Sequence, residues 1–230
     1  MIKKVTLSIL IVFLFYSFNQ TVLSSTTDFV DLSSKHWAYE SVIDIVNKYK
    51  LIEGFPDRTF RGDKNVNHYE LAIIVDKYLT QLEQKYNILL EDKNRGDGVV
   101  ITDIPKNHWA YESVYSMVNG YHILTHKING TKFEGDKLVT RYDLAYTLYS
   151  IINLLEQKKG NITLKEVDIS RKLLDLDETH WANLSVKMVI DRYQIMSPFA
   201  DFTFRGKKEI TRYELVVSFL KMIKLIEKII

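Results

Sequence analysis

The sequence predicts an all-α protein built from three tandem helical repeats, and three observations carry that expectation. The string "HWAYESV" at His36–Val42 returns letter for letter at His108–Val114 and as "HWANLSV" at His180–Val186, and these copies hold all three tryptophans of the chain. Each copy leads on to an F-x-G (Phe60–Gly62, Phe133–Gly135, Phe204–Gly206) and then to "NHYE", "TRYD" or "TRYE" at 67–70, 140–143 and 211–214. Behind both landmarks the apolar residues recur at helical spacing. Ordered landmarks written three times are the signature of a repeat array, in which no unit buries its apolar face alone.

The chain opens with Lys3 and Lys4, an apolar run over Val5–Phe18 and small polar residues around Ser24. That order is a secretory signal peptide over 1–24, with cleavage expected near Ser24. The apolar run falls short of the roughly 20 residues of a spanning helix, so cleavage is preferred over an uncleaved anchor. The repeats are expected at 28–90, 100–157 and 172–230. In the first, Trp37, Val42, Ile45, Val46 and Tyr49 form one helical face, and Trp109 and Trp181 begin matching faces. Turn-rich loops end these helices, with glycine and proline expected to break them and to permit positive φ. A second helix starts at each "TRYE"-type motif. Thr211 with Glu214 reads as a capping box, and Thr140 with Asp143 and Asn67 with Glu70 as weaker ones. Its apolar stripe is Leu71, Ile74, Val75, Tyr78, Leu82 and Tyr86 in the first repeat. Leu144, Leu148, Ile151 and Leu155 repeat it, as do Leu215, Phe219, Ile223 and Ile226. The connectors Glu91–Gly98 and Glu156–Asp168 read as solvated loops.

Composition closes off several function classes. There is no cysteine, so an exported chain must rely on core burial, and about 206 residues suffice for that. Without Lys3 and Lys4 the acids and bases balance at 29 each, which argues against nucleic-acid or anionic-membrane partners. No Ser-His-Asp order, dinucleotide fingerprint or phosphate loop is present, so neither an enzyme nor a cofactor is expected.

Candidate residues come from the repeated positions. Arg141 and Arg212, second in the capping motifs, offer planar forks suited to a carboxylate. Each is expected to project near a helix N-terminus, where amides and macrodipole favour an anion; the other role is a solvated side chain beside Asp143 or Glu214. His68 takes the arginine's place in the first repeat. Trp37, Trp109 and Trp181 can stack on sugar rings or anchor the core, and core burial with one exposed edge is the expected state. His36, His108 and His180 raise a threefold zinc site, but each opens a surface helix and no metal is expected. Asp31, Asp103 and Asp175 are expected to bond backbone amides near the helix starts.

Together these landmarks resemble the S-layer homology family over about residues 28–230. That resemblance implies a pseudo-threefold, three-pronged spindle around a central helical bundle, with grooves for cell-wall glycan. The implied ligand is a secondary wall polysaccharide, often pyruvylated, or modified peptidoglycan. The wording looks more like modules of diderm bacteria, which anchor outer-membrane proteins to peptidoglycan. By resemblance the glycan-binding residues are Arg141, Arg212, His68, Trp37, Trp109, Trp181, Gly54 and Phe55. The expected function is non-covalent, non-enzymatic wall binding in the cell envelope, in the periplasm or at the cell surface. No barrel, S-layer or hydrolase sequence follows Ile230, so either the protein acts alone or a surface or outer-membrane partner protein is tethered through it. The alternative is a helical adaptor that kept the fold and lost the glycan. Its support is erosion: His68 replaces an arginine, "THKING" lacks the Gly-aromatic pair, and Pro198–Phe199 stands in the third loop.

Overall fold

The computed structural model describes residues 28–92, 98–125, 128, 130–159, 168–169 and 171–230. The expected signal peptide and much of both connectors lie outside them. The fold is all-α. The described residues form α1 (Tyr39–Ile43), α2 (His68–Tyr86), α3 (Tyr111–Tyr115), α4 (Arg141–Lys159), α5 (Asn183–Lys187) and α6 (Arg212–Ile229).

Each short helix runs directly into a π-helical turn: π1 (Asp44–Lys48), π2 (Ser116–Gly120) and π3 (Met188–Arg192). The turn then stops at Lys50, His122 or Gln194, each in the left-handed region. Ala38, Ala110 and Ala182 are the N-cap residues, so each tryptophan stands one residue before the cap. The long helices start at reciprocal capping boxes, Asn67 with Glu70 and Thr211 with Glu214. Asn67 is therefore a full cap rather than a weak one. At α4, Asp143 accepts from the Thr140 amide and hydroxyl at 2.8 and 2.7 Å.

The helix pairs α1–α2, α3–α4 and α5–α6 join head to tail in a closed cycle. Val66 N–H donates to Ile210, Ile210 to Val139, and Val139 back to Val66, at 3.2, 2.9 and 2.8 Å. Isolated antiparallel bridges Asn65–Thr211, Asn67–Leu138 and Thr140–Glu209 sit around this ring. Short helices pack in the same order, α1 on α6, α3 on α2 and α5 on α4. The predicted stripes of the long helices are buried except for the partly exposed Tyr86. At their far ends Tyr49 donates to Glu227 at 3.0 Å and Tyr121 to Glu83 at 3.2 Å. Among the described residues no helix is long and apolar enough to cross a membrane.

Candidate functional site

Every F-x-G corner is held from two sides. From its own segment, Asp31 accepts the amides of Phe60 and Arg61, both at 2.7 Å. Asp103 does the same for Phe133 and Glu134, and Asp175 for Phe204 and Arg205. The clamped Arg61, Glu134 and Arg205 carry positive φ of 52°, 55° and 51°. Two corrections follow. These aspartates grip a loop some 30 residues downstream, not the nearby helix start, because a carboxylate satisfies two adjacent amides of a left-handed corner. The corner glycines, in turn, do not supply the positive φ, whereas Gly130 in the second loop does, at 64°.

The glycines instead permit close approach from the neighbouring pair. Tyr213 lies flat on Gly62, Tyr69 on Gly135 and Tyr142 on Gly206, so that a Cβ at any of the three would overlap the ring. Each tyrosine N–H also donates to the glycine carbonyl it covers, at 2.9–3.1 Å. The histidines complete the stack. His36 lies 4.4 Å from Tyr213, His108 4.6 Å from Tyr69 and His180 4.4 Å from Tyr142, ring centre to ring centre. Their Nδ1 atoms accept the Ala38, Ala110 and Ala182 amides, which fixes the proton on Nε2. The three histidines thus serve three separate corners.

Arg141 and Arg212 are buried, which corrects the expectation of side chains projecting at a helix start. Arg141 Nε donates to Phe204 O at 2.8 Å and an Nη to Ser197 O at 2.9 Å. Arg212 makes the same pair of bonds with Phe60 O and Glu53 O at 3.0 and 2.9 Å. Each guanidinium reaches forward into the next loop because that loop turns two carbonyls toward it. Burial lowers both pKa values from the usual arginine value, with Arg205 and Arg61 adding to the effect; both remain charged. Phe55 is sandwiched between Arg61 at 4.0 Å and Arg212 at 5.2 Å. Phe199 stands likewise between Arg205 and Arg141 at 4.0 and 4.9 Å. Phe199 is thus the counterpart of Phe55, although Pro198–Phe199 read from the sequence as erosion of the Gly-aromatic pair. Gly54 makes room for the Phe29 ring.

The tryptophans are exposed, at 63, 63 and 51% for Trp37, Trp109 and Trp181, which corrects the expectation of core burial. Standing before the cap, each falls off the helical face, and the following alanine is buried in its place. Trp37 forms one wall of a groove of about 150 Å³. Its other wall is Arg141 with Ile195–Ser197, and its floor is the α6 face of Glu214, Val217, Ser218 and Lys221. One groove thus draws on all three helix pairs. A larger cleft of about 780 Å³ runs along 171–179, but it has no aromatic wall and its Asp175 is already bonded to two amides.

His68 does not line a groove. Its ring is 0% exposed, bonded through Nδ1 to Lys137 O at 2.8 Å. Nε2 sits 3.4 Å from Asp143 Oδ2. A shorter side chain than arginine reaches only the nearest carbonyl, so the expected groove cation is an internal strut. Among the described residues no three histidine, aspartate or glutamate side chains converge as a metal site.

Sequence comparison adds a family and relatives. The S-layer homology domain matches residues 28–72 and 173–216. Outer membrane protein SlpA of Thermus thermophilus is 40% identical over 68 residues, 28% of this chain and 7% of that protein. Outer membrane protein alpha of Thermotoga maritima is 25% identical over 191 residues, 80% of this chain and 42% of its own length. A cellulosome-anchoring protein of Acetivibrio thermocellus is 32% identical over 107 residues, covering 45% of this chain and 22% of that one. The chain therefore spans less than half of each of these relatives.

Proposed function

Since the chain carries S-layer homology domains at 28–72 and 173–216, we propose that it is a non-enzymatic cell-envelope protein that binds an anionic cell-wall glycan. On this reading the segments 28–90, 100–157 and 172–230 are three repeats, the middle one sharing the aspartate grip and the tyrosine–glycine and histidine contacts of the other two. Secondary wall polysaccharide and modified peptidoglycan both have the required chemistry, sugar rings bearing carboxylates. By binding, the protein anchors itself or a surface partner to the wall, in keeping with relatives named for the outer membrane and for cellulosome anchoring.

The observation that carries the reading is the groove between Trp37 and Arg141. An exposed indole offers a flat face for a sugar ring. Lys221 and the Arg141 guanidinium supply positive charge on the opposite wall and floor. Glu214 is already engaged by Lys208 at 2.6 Å, so it does not cancel that charge. The Ser197 and Phe204 carbonyls are already taken by Arg141, and recognition falls to these side chains.

Co-sedimentation with purified sacculi tests the proposal, using sacculi that retain or have lost their acid-labile anionic polymers. The protein is expected in the pellet. Retention after stripping assigns the ligand to peptidoglycan, and loss after stripping assigns it to the attached polymer. A protein that stays in the supernatant with both leaves the adaptor reading in its place.

A further inference from the structure

Resting on the wall-binding reading, we infer that the chain grips its anionic glycan with two grooves, at Trp37 and Trp109, and that the third, at Trp181, is closed. The grooves are related by the cyclic order of the helix pairs. Advancing one step from Trp37, Arg141 and Lys221 gives Trp109, Arg212 and Lys77. The bonding agrees, since Arg212 holds Phe60 O and Glu53 O as Arg141 holds Phe204 O and Ser197 O. Glu70 is engaged by Lys64 at 3.1 Å, as Glu214 is by Lys208.

One step further the equivalents are Trp181, His68 and Ser150, and both cations are gone. The arginine is replaced by a histidine with no exposed surface. The lysine is replaced by a neutral serine. Glu134 stands where the other corners have Arg61 and Arg205, and it takes Lys137 at 2.7 Å. Most directly, Tyr146 occupies the floor position of Val217 and Ile73, and its ring lies 5.8 Å from that of Trp181. The aromatic wall that would receive a sugar thus already meets one of the protein's own rings, tilted by 59°, a contact that Val217 and Ile73 cannot give Trp37 or Trp109. Among the described residues, no cation takes the places of Arg141 and Lys221 here, and a sugar would have to displace a tyrosine.

Two sites on one rigid body bind a polymeric wall with an avidity on the order of a hundredfold or more above either site. The experiment is a binding isotherm of the full mature chain on intact purified sacculi, comparing Trp37→Ala, Trp109→Ala and Trp181→Ala. All three indoles are half or more exposed, so melting curves should match the parent. Lys221→Glu, Lys77→Glu and Ser150→Glu provide a second set on the helix surfaces. Apparent affinity should fall about a hundredfold for Trp37→Ala and for Trp109→Ala, and stay within about twofold for Trp181→Ala; the Glu set should follow the same pattern. If the parent binds and Trp181→Ala falls as far as the others, the two-groove assignment is overturned while wall binding stands. If the parent binds and none of the six variants changes affinity, the grooves are not the contact. A parent that never binds overturns both the assignment and the reading beneath it.

Discussion

Replacing Arg212 with alanine should cost the fold more than its surface position in the sequence suggests. The side chain links the last helix pair to the first, donating to Phe60 O at 3.0 Å and Glu53 O at 2.9 Å. It also lies 4.7 Å over Phe60 and 5.2 Å over Phe55. A hydrogen bond from a charged group is worth about 1.5–3 kcal/mol. Desolvation of the guanidinium, the cause of its lowered pKa, offsets part of that. The net loss on truncation is about 3–4 kcal/mol, since alanine leaves the buried Phe60 carbonyl without a partner. For a chain of this size each kcal/mol moves the midpoint by roughly 2–4 °C, so Tm should fall by about 10 °C. Circular dichroism melting of the mature protein reads the shift. Hydrogen exchange should also quicken at 53–62 while the α4 core keeps its protection. A Tm within about 2 °C of the parent would refute the buried clamp and return Arg212 to the surface.

Other outcomes follow from single contacts. Gly135→Ala should destabilise by about 1–3 kcal/mol in urea unfolding, because its Cβ would drive Tyr69 out of its seat; an unchanged midpoint would remove the close-approach argument. Asp57 and Asp201 are held down to about 2, first by the Thr59 and Thr203 hydroxyls and then by Arg61 and Arg205. Because these pKa values are depressed on folding, their stabilisation is present above the ordinary carboxylate value and is lost as pH falls from about 4 to about 2. Carboxyl NMR titration should find midpoints near 2, and midpoints near 3.8 would contradict these threonine and arginine contacts. The N-terminus of cell-derived protein should fall at Ser24–Thr27 by mass spectrometry, and an intact Met1 on the exported form would favour an anchor.

The helices were legible because burial periodicity and capping are local. Leu144, Leu148, Ile151 and Leu155 had only one packed way to lie once the helix formed. The order in which the pairs dock was not legible. Which corner Tyr69 or Arg212 reaches is set by contacts more than 60 residues away, and no periodicity records them. Tryptophan exposure turns on where the helix begins: a start at Tyr39 rather than Trp37 puts Ala38 inside and the indole outside. The arginines were found but misdirected, since type and spacing do not tell which way a long side chain folds. Tyr69, Tyr142 and Tyr213 were missed although the same letter stands third in all three motifs. Their contacts lie in another helix pair, so nothing local marks them. Phe199 was seen in place but counted as erosion, because a proline replaces the glycine before it.

The most direct measurement is sedimentation of the Lys77→Glu/Lys221→Glu double variant beside the parent on intact sacculi. Both lysines lie on exposed or partly exposed faces of α2 and α6, so the fold should be unaffected, and a parent-like melting curve confirms that in the same preparation. Reversing one charge in each open groove should leave the parent in the pellet and move the double variant to the supernatant at physiological salt. If the variant sediments with the parent, the anionic glycan is not held in these grooves.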